Sequence, residues 1–125
     1  MTPDLIYSYT RAQALADGVL IDVSALAREA GFKLPVAVSD SLYHGYLTPP
    51  LDLAKAGLSL DGRLWDVLSN LRYAIKAAPE TDRLSFTVLF QMAPDSTPVP
   101  VDLLAVCGPD DSGSPVITIM LPSDD

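Results

Sequence analysis

The sequence predicts an α+β fold in which a C-terminal antiparallel sheet, a three-stranded meander, packs against one main helix. Apolar side chains recur at three- and four-residue steps over 61–79, whereas over 84–92 they alternate with polar ones. Short turn-rich segments separate the later strands, which favours antiparallel pairing because a parallel crossover needs a dozen or more residues. The length of 125 residues fits one compact domain, 1–125. A hydrophobic fraction of 49% excludes an intrinsically disordered chain.

The N-terminal third is predicted to contain short helices and strands. Leu5–Tyr9 alternates and is predicted as a strand. Thr10 and Gln13 have the spacing of a capping box, and Gly18 stands where a left-handed C-terminal cap belongs. These signals predict a short helix over 11–17.

A second strand and helix are expected next. Val19–Val23 is a β-prone run, and Ser24 is the expected N-cap of a helix through Ala30. Leu34–Val38 is predicted as extended, and Ser39 as the cap of a third short helix.

Two prolines end this third helix. Pro49 and Pro50 cannot continue a helical hydrogen-bond ladder. The segment after the helix, Thr48–Leu60, is predicted as a loop.

The main helix is predicted between Asp61 and Pro79. Its apolar stripe is Leu64, Val67, Leu68, Leu71, Ile75 and Ala78. Arg63 is expected on another face of the helix, and Trp65 at the edge of the stripe. The stripe makes this helix the main element of the core.

Three strands follow the main helix. They are predicted at Leu84–Met92, Val99–Cys107 and Val116–Leu121, with turn-rich connections at 94–98 and 108–115.

Charge is unevenly distributed along the chain. Eight basic against sixteen acidic residues give a net charge of −8, so direct binding of nucleic acid is disfavoured. All eight basic residues lie at or before Arg83, whereas the remaining 42 residues carry six acids and no base. These acids are Asp95, Asp102, Asp110, Asp111, Asp124 and Asp125. Their natural partners are cationic.

Several classes of site are not predicted. The chain has no Walker loop and no glycine-rich dinucleotide motif, so no cofactor is expected. The cluster Asp110, Asp111, Ser112 lacks the spaced ligands of a calcium loop, and one Cys with one His does not make a zinc site, so no metal is expected. No membrane span or signal peptide is indicated, and the single Cys107 fits a reducing, cytoplasmic compartment.

His44 is the one candidate general base, with Ser41 or Cys107 as its nucleophile. Neither nucleophile stands in an activating motif, and a histidine closing a short helix before Gly45 is the simpler interpretation. No catalytic residue is therefore predicted. Tyr43, His44 and Tyr46 are instead a candidate ligand pocket.

Aromatic side chains are a second kind of candidate contact. Five tyrosines and Trp65 are residue types enriched at binding hot spots, although most are expected to line the edge of the core.

Several strings across the chain are shared with a known family: IYSYTRAQALADGVLIDVS (6–24), AREAGF (27–32), PVAVS (35–39), GRLWDVL (62–68), LLAVCGP (103–109) and PVITIMLPSDD (115–125). The chain resembles a family of small uncharacterised bacterial proteins, a domain of unknown function carried on plasmids and phages. The resemblance implies a bacterial cytosolic protein of a mobile element, and transfers no catalytic or ligand residue.

Charge and resemblance together lead to the hypothesis of a protein-binding accessory factor, not an enzyme. In its sharpest form it is an anti-CRISPR or other anti-defence inhibitor that imitates nucleic acid at a cationic protein surface, for example on a nucleic-acid-binding defence complex. The binding residues would be Asp110, Asp111, Asp124 and Asp125, supported by Asp95 and Asp102. The alternatives are ordinary solubilising charges, a small-molecule-binding domain or small enzyme, and a structural subunit or homodimer.

Overall fold

The computed structural model describes residues 10–125, so the predicted strand Leu5–Tyr9 lies outside the described residues. The helices are α1 (Arg11–Ala16), α2 (Ser24–Glu29), α3 (Asp40–Leu42), α4 (Leu51–Lys55) and α5 (Leu60–Ala77), with a π-helical turn at Tyr43–Leu47 and a 3₁₀ turn at Pro122–Asp124. The strands are β1 (Leu20–Asp22), β2 (Val36–Ser39), β3 (Arg83–Phe90), β4 (Val99–Pro109) and β5 (Pro115–Met120). This arrangement confirms the α+β class.

The five strands form one sheet in the order β1-β2-β5-β4-β3. The antiparallel meander β3-β4-β5 is confirmed, but the sheet extends beyond it because β2 pairs in parallel with β5 and antiparallel with β1. A parallel pair needs a long crossover, and the helices and strands between β2 and β5 supply one. Short-range turn signals cannot reveal such a pairing.

Local capping signals were mostly accurate. The Thr10 hydroxyl accepts the Gln13 N–H (3.1 Å) while Gln13 Oε1 accepts the Thr10 N–H (2.8 Å), which completes the predicted capping box. Ser39 caps α3 as predicted by accepting the Leu42 N–H (3.3 Å).

Two local predictions were wrong. Ser24 is the first residue of α2 rather than its N-cap, because its hydroxyl lies 2.5 Å from Asp22 Oδ1 and accepts the Val36 N–H at 3.0 Å. The segment Thr48–Leu60 is not all loop, because α4 forms within it and buries Leu53.

The core lies between α5 and one face of the sheet, called here the inner face. The α5 residues of this core are Leu64, Val67, Leu68 and Leu71, and the strand residues include Phe86, Val88, Leu103, Ile117 and Ile119. Fully burying aliphatic side chains of this size contributes about 2 kcal/mol each before conformational entropy is subtracted.

Arg63 lies outside the predicted apolar stripe of the main helix and is nevertheless buried. Its side chain is buried, with 7% of its surface exposed. Nη1 donates to the Tyr46 carbonyl (2.7 Å), Nη2 donates to the Gln91 carbonyl, and the guanidinium lies 5.8 Å from the centre of the Phe90 ring. Arg63 therefore joins the π-helical turn, α5 and the end of β3.

Candidate functional site

The opposite face of the sheet, called here the outer face, carries most of the predicted acidic residues. Strand register places Thr87 opposite Asp102 on it, since side chains alternate along a strand and Phe86 and Val88 point to the core. The Thr87 hydroxyl donates to Asp102 Oδ1 at 2.8 Å. Asp102 is exposed on this face, in the part of β4 that lies beyond its last pair with β5, Leu104 with Met120.

Asp110 and Asp111 form the turn between β4 and β5. Asp110 Oδ1 accepts the Ser112 and Ser114 N–H groups, each at 2.9 Å, and the Ser112 hydroxyl at 2.8 Å. These hydrogen bonds, led by those from Ser112, hold the pKa of Asp110 below its usual range, and Arg11 acts in the same direction. The turn therefore keeps a fixed negative charge at neutral pH.

The Asp111 carboxylate holds the N-terminus of α1 against the outer face. Its Oδ1 accepts the Arg11 N–H (2.9 Å) and its Oδ2 the Ala12 N–H (3.0 Å). Arg11 then reaches over β5, where Nη1 donates to the Thr118 hydroxyl (2.6 Å) and Nη2 to the Ile117 carbonyl (3.3 Å). Burial lowers the pKa of Arg11, and the charges of Asp110, Asp111 and Asp22 oppose this effect.

A cleft of about 470 Å³, lined by both charged and apolar side chains, surrounds Arg11 on this face. Its charged lining residues are Arg11, Arg28, Asp22, Asp110 and Asp111. Asp22 accepts the N–H (3.0 Å) and hydroxyl (2.5 Å) of Ser24, which fixes its carboxylate at the cleft wall.

Asp124 closes the other end of the outer face. Its Oδ2 accepts the hydroxyls of Ser39 (2.7 Å) and Ser41 (2.5 Å) and the Leu121 N–H (2.9 Å). Partial burial is the largest single influence and raises the pKa of Asp124. The hydrogen bonds from Ser41, Ser39 and Leu121 together outweigh it, so the pKa lies below its ordinary value.

Asp125 pairs with Arg83, the first residue of β3. About half of each side chain is exposed (51% for Arg83 and 44% for Asp125), so the pair contributes little to stability.

Five of the six predicted acids therefore lie on or beside the outer face. Asp95 is exposed in the connection between β3 and β4, at the opposite end of β4 from Asp110 and Asp111. Sequence reasoning missed Asp22 on β1 and Asp40, which lines a small cleft with Asp124. Neither residue lies in the acidic C-terminal third, so only the pairing of β1 and β2 with β5 reveals them.

The predicted pocket residues lie elsewhere, in the π-helical turn. Tyr43 and Tyr46 are half-buried against the core, and His44 is exposed with its ring centre 5.1 Å from that of Tyr43. The ring centres of Tyr46 and Phe90 are 5.5 Å apart. A ligand pocket at these residues stays a prediction.

Among the other aromatic candidates, Tyr7 and Tyr9 lie outside the described residues. Trp65 and Tyr73 are exposed on α5, with 42% and 80% of their surface accessible.

Within residues 10–125, no helix is long and apolar enough to cross a membrane. The same residues bring no three His, Cys, Asp or Glu side chains together in a metal-binding arrangement.

Comparison with known proteins gives one match. The model of a protein family described as "Family of unknown function (DUF6573)" matches residues 1–125. No curated protein and no solved structure matches the chain.

Proposed function

Since this chain belongs to the DUF6573 family, whose function is unknown, we propose its function from its charged outer face. The protein binds, through that face, a cationic surface of another protein. The observation that carries the proposal is the convergence of seven carboxylates, from three separate stretches of the chain, on one side of the sheet against three guanidinium groups. The acids are Asp22, Asp40, Asp102, Asp110, Asp111, Asp124 and Asp125, and the bases are Arg11, Arg28 and Arg83.

The size of this face supports the proposal. Asp102 and Asp110 are eight residues apart along β4 and its end, or about 26 Å at the rise of an extended strand. A standard protein interface covers about 800 Å² per partner, a patch roughly 30 Å across. The acids are therefore spread over the dimensions of one interface.

Internal hydrogen bonds also favour binding through these groups. Asp102, Asp110, Asp111 and Asp124 each accept a bond from the protein itself, so their positions are set before a partner arrives. Such preorganisation reduces the entropy lost on association.

The finer form of the proposal is an anti-CRISPR or other anti-defence inhibitor that occupies a nucleic-acid groove, in the bacterial cytoplasm and in a plasmid or phage setting. Its support is the sequence resemblance, the fixed anionic face and the single cysteine. The excess of negative charge on the outer face would also speed association with a positively charged groove.

The test compares two variants with equal charge change. Asp102→Asn/Asp110→Asn/Asp125→Asn removes three of the seven negative charges of the outer face while the amide oxygens of residues 102 and 110 still accept the existing bonds. Asp52→Asn/Asp66→Asn/Glu80→Gln removes three exposed charges on helices and the loop after α5. Partners captured from a bacterial host are identified by mass spectrometry, and affinity is then measured at low and high salt.

We expect the outer-face variant to bind the partner at least about tenfold more weakly, and the wild-type affinity to fall steeply between about 50 and about 500 mM salt. The control variant should bind like wild type. Equal losses in both variants, or affinity independent of salt, would contradict the proposal.

A further inference from the structure

A second cleft, of about 200 Å³, opens on the other side of the sheet between the C-terminal half of α5 and the inner face. Most of its lining side chains are apolar: Leu34, Leu71, Ile75, Leu84, Ala105 and Ile117. Leu71 is fully buried, and Ala105 and Ile117 expose 6% and 7% of their surface. Because most of these walls belong to the longest helix and to three neighbouring strands, the cleft is preformed and does not require a loop to move.

The mouth of the cleft carries one sign of charge. Among residues 10–125, Asp82 is the only charged residue that lines it, beside Thr81 and Cys107. The Asp82 carbonyl accepts the Cys107 N–H at 2.8 Å, which ties the loop after α5 to β4. Glu80 and Asp82 also line the adjoining surface depression, so a second carboxylate stands near the entrance.

We propose that this cleft binds a small organic amine. Its apolar body lies between α5 and the sheet, and its ammonium group pairs with the Asp82 carboxylate. An apolar cavity of about 150 Å³ accepts a benzene-sized molecule, so this cleft accommodates a body of roughly six to eight carbon atoms. An anionic ligand would meet Asp82 at the entrance and the net charge of −8 of the whole chain.

This inference is independent of the proposed partner binding, because the cleft and the acidic outer face lie on opposite sides of the sheet. It also differs from the pocket predicted at Tyr43, His44 and Tyr46. Those residues precede the N-terminal end of α5, where Arg63 holds the Tyr46 carbonyl, whereas the cleft adjoins Ile75 near the other end.

Cys107 provides a direct probe of occupancy. It lines the cleft, is half-buried, and is the only cysteine of the chain. The probe ligand is 2-phenylethylamine, with 2-phenylethanol as its neutral analogue and 3-phenylpropionate as its anionic analogue. The rate of Cys107 alkylation by iodoacetamide is followed by mass spectrometry, and binding is measured independently by NMR titration.

Saturating amine should slow alkylation at least about fivefold and shift the resonances of the lining residues. The alcohol should bind about tenfold more weakly and the carboxylate more weakly still, because a charge-assisted hydrogen bond is lost or replaced by repulsion. Absence of protection at millimolar amine, or equal binding of all three compounds, would overturn the proposal.

Two variants locate the site. Asp82→Asn should weaken amine binding about tenfold and leave the alcohol unaffected, whereas Asp95→Asn, an exposed carboxylate in the connection before β4, should change neither. Ile75→Phe is expected to fill the half-buried wall position and abolish binding while the protein still melts cooperatively. Retained binding in a folded Ile75→Phe protein, or identical effects of the two Asp variants, would also refute it.

Discussion

Asp111 and Arg11 are 100 residues apart in the sequence, yet the Asp111 carboxylate lies 2.9 Å from the backbone nitrogen of Arg11. The carboxylate accepts two of the N–H groups that have no partner within the first turn of α1. The loop between β4 and β5 thus completes the N-terminal cap of α1, in which the neighbouring Thr10 accepts only the Gln13 N–H. A residue predicted to bind a partner also holds the fold together.

Removing this long-range cap should destabilise the protein. We expect Asp111→Ala to lower the free energy of unfolding by about 1–2 kcal/mol, because two N–H groups lose a charged acceptor. Urea denaturation measures the change, with Asp95→Ala, exposed in the connection before β4, as the control. Equal stability of Asp111→Ala and Asp95→Ala would show that the contact does not hold α1 in place.

Substitution of Arg63 should lower the free energy of unfolding more than substitution of an exposed charged residue does. Arg63→Ala leaves the Tyr46 and Gln91 carbonyls without their donor and a cavity beside Phe90, so we expect a loss of about 3 kcal/mol. Arg63→Lys should recover part of it, because an ammonium group cannot reproduce the planar fork of a guanidinium. Arg28→Ala, which removes a more exposed guanidinium, should cost less than about 1 kcal/mol. A similar melting temperature for Arg63→Ala and Arg28→Ala would disprove this role of Arg63.

Asp124 should contribute to stability in a pH-dependent way. Its pKa in the folded protein is below the ordinary aspartate value. The ionised carboxylate therefore stabilises the folded state fully above the ordinary pKa of about 4. The contribution is lost as the pH falls through the folded pKa. Asp124→Asn should therefore flatten the decrease in urea midpoint on the acid side, and Ser41→Ala, which removes one donor, should flatten it partly. If the urea midpoint of both variants fell with decreasing pH as it does in wild type, Asp124 would not be a source of the pH dependence.

Gly31 occupies a position that no other residue should fill. Its φ of +100° favours glycine, and an added Cβ would lie 2.7 Å from Arg72 Nη1, which donates to the Ala30 carbonyl at 2.7 Å. Gly57 has a φ of +99° with open space around it. We expect Gly57→Ala to cost about 1 kcal/mol from backbone strain alone, and Gly31→Ala about 1–2 kcal/mol more because Arg72 is displaced. Calorimetric melting of both variants gives the difference, and equal losses would exclude the Arg72 contact as its cause.

Prediction from sequence succeeded for most features that depend on near neighbours, although the short helix α4 was missed. The capping box of Thr10 and Gln13, the Ser39 cap and the stripe of α5 were all visible, since each depends on residues three or four positions apart. The role of Ser24 and the burial of Arg63 were not visible, because their partners, at Val36, Tyr46 and Gln91, lie 12 to 28 residues away.

The candidate site follows the same division. An excess of acid in the last third of the chain was evident from composition, and five of those six residues share the outer face. The contribution of Asp22 and Asp40 was not evident, because they reach that face only through the pairing of β1 and β2 with the rest of the sheet. The apolar cleft below α5 left no sequence signal, since its lining residues look like any other core positions.

The sequence by itself determined the α+β class, the main helix, the antiparallel meander and the sign of the surface charge, because periodicity, capping and composition are local or additive properties. Only the tertiary structure decided that β2 joins β5 in parallel, that Asp111 caps α1 from 100 residues away, and that the acids gather on one face while an apolar cleft opens on the other. Those outcomes depend on which distant segments pack together, and packing is selected by the whole core rather than by any single stretch of the chain.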